Sequence, residues 1–203
     1  MTIICGLGNP GLRYRHTWHN LGFMLLDRLA AEAGFRSGRG SWLESRLQLE
    51  GRDVLLLKPT TFMNLSGQAL SEACAFYRIE PAQVLVAFDD IDLPLGEIRF
   101  RESGSGGNHN GMSHVVQHLG LQVPRLRMGF RPPHAVGSAQ LKSFVLSPIP
   151  EALRDDVALM LGAAEAGVRT CLAGGIREAM NRCNRAGGRK GDAGAASPGD
   201  AVD

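Results

Sequence analysis

The chain has 203 residues, of which 44% are hydrophobic, and a formal net charge of +2, so it is long enough for one domain with a full core and is not a polycation. No uninterrupted apolar run reaches the ~20 residues of a membrane helix, and no secretory signal pattern is present, so we expect a cytoplasmic protein without a membrane partner. The four cysteines form no CxxC pair and have no metal-ligand spacing to histidines, which favours free thiols over a metal centre.

The predicted elements alternate between short apolar strands and amphipathic helices. In chain order they are a strand (3–6), a helix (20–33), two strands paired around Gly51 (46–50 and 53–58), a helix (64–77), two strands (83–88 and 97–101), a glycine-rich loop (103–111), a helix (112–119), a strand (125–130) and two helices (151–172 and 176–182). This order predicts an α/β fold, a single domain with a mixed twisted sheet flanked by helices. We assign residues 1–185 to that domain and residues 186–203, rich in Gly and Ala, to a disordered tail.

A glycine-rich stretch, Gly6-Leu7-Gly8-Asn9-Pro10-Gly11, follows the first strand with the spacing G-x-G-x-x-G. In a dinucleotide site the third glycine opens a helix whose N-terminus receives the pyrophosphate, and an acid follows at the end of a second strand. Here no clear helix begins after Gly11 and no such acid is found, which disfavours a nucleotide-dependent oxidoreductase. The alternatives are that Gly8 permits a tight turn that holds the Asn9 amide toward a cleft, or that Asn9 caps its own turn.

Four clusters of polar residues lie at predicted element boundaries. They are His19-Asn20, Phe62-Met63-Asn64, Asp89-Asp90-Ile91-Asp92 and His109-Asn110-Gly111. Ligand sites in open α/β sheets lie beyond the carboxyl ends of strands, so we expect these clusters to surround a cleft. The alternatives are helix N-caps at Asn64 and Asn110, an exposed loop histidine at position 19, and a solvated turn after the buried strand. A hard-cation site is disfavoured because no further acids complete an oxygen cage.

A run of basic residues with few acids between them occupies the middle of the chain. Its members are Arg99, Arg101, Arg125, Arg127, Arg131 and Lys142. Such a run fits either a patch that holds a phosphate backbone or an ordinary solvated face. Histidines 16, 114, 118 and 134 are expected to be structural or exposed.

Taken together, several motifs resemble the bacterial-type peptidyl-tRNA hydrolase family. They are GLGNPGLRY (6–14), TWHNLGF (17–23), KPTTFMNLSG (58–67), DDIDLPLG (89–96), GSGGNHNGM (104–112), LRMGF (126–130) and FVL (144–146), in order between Ile3 and about Asn184. The resemblance implies hydrolysis of the ester that joins a peptide, or an N-blocked amino acid, to the 3′ end of tRNA, which recycles tRNA from stalled translation. It also implies a monomer. Because an ester has a good leaving group, we expect that no metal or cofactor is required.

The resemblance assigns roles to individual residues. His19 matches the general base that activates water, Asp89 the carboxylate that orients it, and Asn9 the asparagine that separates blocked from unblocked aminoacyl-tRNA. The remaining matches are substrate contacts at Tyr14, Phe62, Asn64 and Asn110, cleft-lining positions at Met63 and His109, and tRNA-phosphate contacts at Arg101 and Arg127. A neutral imidazole oriented by a carboxylate is a competent base near neutral pH. No serine or cysteine sits in a nucleophile-elbow pattern, which favours direct attack by water.

The chain departs from the family pattern at three positions. Phe88 replaces a common histidine before the acid pair, Trp18 replaces the usual arginine before His19, and Asn108 replaces a common glycine. We expect Asn108 to retain a positive φ and Trp18 to remove a phosphate contact. A non-catalytic RNA-binding relative would have lost His19 or Asp89, and both are present.

Overall fold

The structure, a computed structural model, describes residues 1–132 and 137–184. The predicted tail at 186–203 and His134 lie outside these residues. The strands are β1 (Thr2–Gly6), β2 (Arg36–Ser37), β3 (Trp42–Leu49), β4 (Arg52–Pro59), β5 (Val84–Asp90), β6 (Ile98–Arg101) and β7 (Arg125–Gly129). The helices are α1 (Leu21–Ala30), α2 (Ser66–Tyr77), α3 (Asn110–Leu119), α4 (Ser138–Val145), α5 (Arg154–Gly174) and α6 (Ile176–Cys183).

All seven strands form one mixed sheet in the order β2-β3-β4-β1-β5-β7-β6. The four central strands, β4, β1, β5 and β7, are parallel, so their carboxyl ends meet at one edge of the sheet. The outer strands β2, β3 and β6 pair antiparallel with their neighbours. The predicted single α/β domain with a mixed, helix-flanked sheet is therefore confirmed.

Helices cover both faces of the sheet because side chains alternate along the buried strands. In β1, Ile4 faces α1, α5 and α6, whereas Ile3 and Cys5 face α2 and α3. The segment Glu151–Gly174, which includes α5, is long and apolar enough by length and composition to cross a membrane. Its residues Met160, Ala164 and Val168 are buried in the core against the sheet, as in the core helix of a globular protein.

Several element boundaries differ from those predicted. Strand β5 continues through Asp89 and Asp90, because both pair with β7 and their backbone groups stay in the ladder. Strand β3 begins at Trp42, four residues early, where it pairs with Pro59 at the end of β4. Helix α1 ends at Ala30, because Ala31 adopts φ 47° and a three-residue 3-10 turn follows. Strand β2 and helix α4 were not predicted; both are short and lack a clear apolar period.

Candidate active site

A cleft of about 980 Å³ opens at the carboxyl ends of the parallel strands. Its position follows from the topology, because loops that leave adjacent parallel strands surround a common crevice. Every residue for which the sequence predicts a site role lies on its wall: Asn9, Tyr14, His19, Phe62, Met63, Asn64, Asp89, Arg101, His109, Asn110 and Arg127. The four polar clusters, from four separate segments of chain, thus each contribute residues to one cleft.

Asn9 is held in place by two other segments. The Asn20 side chain accepts a hydrogen bond from the Asn9 backbone N–H (2.9 Å) and donates one to the Asn9 carbonyl oxygen (3.0 Å). The Asn9 Oδ1 atom accepts a hydrogen bond from the Met63 backbone N–H (3.0 Å). The interpretation that Asn9 caps its own turn is therefore wrong. Sequence reasoning missed the role of Asn20, although its place beside His19 in the TWHN motif was a signal.

The first two glycines of the G-x-G-x-x-G stretch are required for helix packing, not for nucleotide binding. A Cβ atom at Gly6 would lie 2.4 Å from the Gly22 carbonyl oxygen, and one at Gly8 would lie 2.6 Å from the Phe23 ring. Both glycines therefore allow α1 to approach the end of β1. Gly11 has φ 107° and precedes a 3-10 turn of three residues, so no α-helix begins at this glycine. The dinucleotide geometry is absent here, and Gly8 is required by close packing rather than by a tight turn.

Asp89 lies between two histidines at the end of β5. Its Oδ2 atom is 2.9 Å from Nδ1 of His19, and its Oδ1 atom is 3.0 Å from Nε2 of His109. The three side chains come from the 3-10 turn before α1, from β5 and from the start of α3. The His19 Nε2 atom makes no hydrogen bond within the described residues, and His19 lines the cleft.

The pKa values of this pair follow from its contacts. Burial lowers the pKa of His19, but the charge of Asp89 and its hydrogen bond outweigh burial, so the pKa is raised above its ordinary value. Burial raises the pKa of Asp89, but the two imidazoles and their hydrogen bonds hold it far below its ordinary range. Asp89 is therefore ionised at neutral pH and accepts at both oxygens. His19 consequently carries its proton on Nδ1 when neutral, which leaves the Nε2 lone pair available.

The same three side chains also place one ligand atom each within 4.8 Å of one another, as a metal site would. The separations of 2.9 and 3.0 Å are hydrogen-bond lengths, and each carboxylate oxygen is matched to one ring nitrogen. This arrangement suits proton sharing. That the site works without a metal remains a prediction.

The two predicted N-cap asparagines do not cap helices. His109 is the N-cap of α3, and its Nδ1 atom accepts a hydrogen bond from the Met112 backbone N–H (3.0 Å). Asn110 is the first residue of α3, and Asn64 lies in a 3-10 turn before α2. Both asparagines are exposed in the cleft, where their amides are open to a ligand.

The departures from the family pattern also have structural consequences. Asn108 does not have the expected positive φ, which occurs at Gly104 and Gly107 instead. Phe88 is buried and its ring lies 4.8 Å from the His109 ring. Trp18 is 3% exposed, so this position is part of the core rather than a phosphate-facing surface.

A second set of residues that line the cleft is basic: Arg101, Arg127 and Lys142. Arg101 is exposed, and Arg127 donates to Asp90 through Nε while a quarter of its side chain remains exposed. Arg125, by contrast, is 2% exposed and donates to three backbone carbonyl oxygens: those of Ser105 (2.7 Å), Val123 (3.1 Å) and Leu121 (3.2 Å). Arg125 therefore holds the glycine-rich loop, and it is not open to phosphate.

The chain is similar to proteins of one family along nearly its whole length. A family model described as Peptidyl-tRNA hydrolase matches residues 3–191. Proteins named peptidyl-tRNA hydrolase from Synechococcus elongatus and Carboxydothermus hydrogenoformans are 41% and 43% identical to it, covering 90% and 92% of the chain and 92% and 100% of the relatives. The crystal structure of peptidyl-tRNA hydrolase from Acinetobacter baumannii superposes with a TM-score of 0.81 at 36% identity, covering 91% of this chain and 95% of that one.

Proposed function

The chain belongs to the peptidyl-tRNA hydrolase family, which hydrolyses ester bonds, and we propose that His19, Asp89 and Asn9 carry out that reaction here. The observation that supports this assignment best is the 2.9 Å contact between His19 Nδ1 and Asp89 Oδ2 at the cleft wall. This contact leaves the second ring nitrogen of His19 facing the space where an ester would bind.

In the proposed mechanism, His19 Nε2 removes a proton from a water molecule as that water attacks the ester carbonyl. Asp89 holds the imidazole in the Nδ1–H tautomer and stabilises the imidazolium that forms. The negative tetrahedral intermediate needs donors, and the exposed amides of Asn64 and Asn110 at the cleft are suited to supply them. His19 then returns its proton to the departing ribose oxygen, so the ester becomes a free acid and a tRNA hydroxyl.

Asn9 is proposed to recognise the blocked amino group next to the ester. Its Oδ1 atom is occupied by the Met63 N–H, and its Nδ2 atom makes no hydrogen bond within the described residues. An amide N–H in this position favours a peptide carbonyl oxygen and offers nothing to a free ammonium group, which itself only donates. This orientation accounts for discrimination between peptidyl-tRNA and unblocked aminoacyl-tRNA.

The rest of the cleft is proposed to hold the two parts of the substrate, the peptide and the tRNA. Phe62 is 56% exposed, and the Arg13 guanidinium lies 4.5 Å from the centre of the Tyr14 ring, so this rim offers apolar and stacking surfaces. Met63 is buried and also lines the cleft. Arg101 and Arg127 are proposed to contact phosphates of the tRNA, as positively charged groups that remain accessible.

We further propose that the enzyme acts in the cytoplasm as a monomer. One chain supplies all eleven site residues, so the cleft needs no second copy. Its substrate arises at the ribosome, which supports a cytoplasmic location. Light scattering after size-exclusion chromatography tests the monomer: a dimer at working concentration would overturn this part of the proposal.

The decisive experiment measures release of the blocked amino acid from N-acetyl-aminoacyl-tRNA in the presence of EDTA. We expect cleavage of the blocked ester by the wild type, little cleavage of unblocked aminoacyl-tRNA, and loss of this discrimination in Asn9→Ala. Turnover that EDTA abolishes and that Zn²⁺ restores would contradict the metal-free mechanism. A folded protein that binds tRNA without cleaving it would instead be a binding module with the fold of a hydrolase.

A further inference from the structure

His109 uses both of its ring nitrogens, and its side chain is 9% exposed. The Nδ1 atom lies 3.0 Å from the Met112 backbone nitrogen, and the Nε2 atom lies 3.0 Å from Asp89 Oδ1. The first contact makes His109 the N-cap of α3, and the second joins it to the carboxylate of the proposed catalytic pair. One imidazole thus connects the start of a helix to the reaction centre.

The proton on the His109 ring can be assigned from its partners. A backbone N–H only donates, so Nδ1 must accept with its lone pair and cannot itself carry a proton. The neutral ring therefore carries its proton on Nε2, which donates to Asp89 Oδ1. Protonation of Nδ1 would break the bond from Met112 and leave that N–H without its cap. The helix start consequently favours a single form of this histidine, the neutral Nε2–H tautomer.

We propose that His109 is a positioning residue whose tautomer is set by the α3 N-terminus, so that it orients Asp89 and stays neutral while His19 gains a proton. This rests on the proposed function. The ring centres of the two histidines are 4.7 Å apart, and a positive charge at His109 would oppose formation of the His19 imidazolium in the transition state. A neutral donor instead holds the carboxylate without adding that repulsion.

The surroundings of the ring support this assignment. Phe88 lies 4.8 Å from the ring centre and offers neither a donor nor an acceptor, so it packs against the imidazole without competing for its nitrogens. The titratable groups that contact His109 among the described residues are Asp89 from β5 and His19 from the turn before α1. Each carboxylate oxygen of Asp89 contacts one histidine, so the two contacts together fix the orientation of the carboxylate plane.

A matched pair of substitutions separates the two contacts. In His109→Asn the amide oxygen falls near the position of Nδ1, which keeps the helix cap, but no atom reaches Asp89. In His109→Gln the longer amide reaches Asp89 with an N–H, but it leaves no acceptor at the Nδ1 position. We expect His109→Asn to keep the wild-type Tm and to lose roughly tenfold in kcat with little change in KM, less than the ~10²-fold that a 1 Å misplacement costs. We expect His109→Gln to keep most of the wild-type kcat and to have a lower Tm than the wild type.

The proposal would be overturned if His109→Asn kept the wild-type kcat while His109→Gln lost it. It would also be overturned if both variants kept the wild-type kcat. Direct detection of the tautomer by NMR in the wild-type protein makes the test independent of activity and of whether a variant folds. Long-range ¹H–¹⁵N spectra of the wild-type protein should show His109 as Nε2–H throughout the titration of His19. An imidazolium at His109 near neutral pH would contradict the proposal. Failure of the proposed function is distinguishable, because it would remove ester cleavage from the wild type and leave these spectra unchanged.

Discussion

Two sets of residues in the cleft differ in how much of their geometry exists before substrate binds. In the chemical set, Asn9, His19 and Asp89 are 6%, 8% and 2% exposed, and hydrogen bonds to other segments of the chain hold each of them. In the basic set, Arg101 and Lys142 are exposed and Arg127 pairs with Asp90. The chemical set is built into the core, and the basic set is largely solvated.

This difference matches two separate tasks, the orientation of the reacting groups and the attraction of the tRNA. Groups that must act on one bond within a fraction of an ångström gain from burial, because low mobility and exclusion of water strengthen their interactions. Groups that meet a flexible polyanion need only charge and reach, and salt screens them. Substitutions in the chemical set should therefore lower kcat, whereas those in the basic set should raise KM and alter the salt dependence.

The largest effect is expected from His19→Ala. Loss of the general base should lower kcat by about 10³-fold or more, with tRNA binding retained, because a positioned base contributes roughly 10²–10⁴-fold. Single-turnover hydrolysis of N-acetyl-aminoacyl-tRNA, paired with a tRNA-binding titration, measures both quantities. His16→Ala, an exposed histidine three residues earlier, is the matched control and should be fully active. A His19→Ala variant that keeps more than a tenth of wild-type kcat would remove His19 from the mechanism.

Asp89→Asn should lower kcat by about 10²-fold and change its pH dependence. In the wild type the raised pKa of His19 places the rise of kcat/KM above the ordinary imidazole value of about 6.5, since only the neutral ring acts as base. Removing the charge of Asp89 leaves the opposing effect of burial, so the midpoint should move to lower pH. A pH–rate profile measures the shift, and the exposed Asp92→Asn serves as control. An unchanged or higher midpoint would be inconsistent with the Asp89–His19 contact.

Trp18→Arg, which restores the residue usual in the family, tests the apolar support behind His19. The Trp18 ring stacks on Phe130 (5.3 Å between centroids) and lies 6.4 Å from Phe144 of α4. An arginine here would bury a charge without a partner, so we expect a loss of about 3 kcal/mol in the free energy of unfolding. Denaturant titration measures the loss, and Trp18→Phe should cost less. Wild-type stability together with tighter tRNA binding would show that the arginine reaches solvent and phosphate.

The smallest effects are expected from Arg101→Ala and Arg127→Gln. Each should raise KM several-fold, leave kcat near wild type, and reduce the slope of log affinity against log salt by about one. Kinetics at several salt concentrations measure the slopes. Arg52→Ala is the control, since Arg52 is exposed at the start of β4, at the edge of the sheet away from the cleft. A fall in kcat at constant KM would place these arginines in the chemical set instead.

Much of the fold was predictable because its signals are local. The apolar run that forms β5 and the periodic pattern of α1 indicate element type from sequence alone. The interleaving of strands and helices then indicates an α/β sheet. The extent of β5 was not predictable, because Asp89 and Asp90 enter the strand through pairing with β7, a contact made about forty residues later in the chain. Strand β2 and helix α4 likewise depend on neighbours rather than on a pattern of their own.

For the site, the sequence by itself determined which residue types gather where: a histidine and an asparagine before α1, acids after an apolar strand, and a histidine and an asparagine after a glycine-rich loop. Only the tertiary structure decided their partners. Asn20 holds the Asn9 backbone, Arg125 binds loop carbonyls rather than phosphate, and His109 caps α3 while it reaches Asp89. The physical reason is that the direction of a hydrogen bond depends on where two distant backbones lie, and parallel strands bring those backbones together only once the sheet has formed.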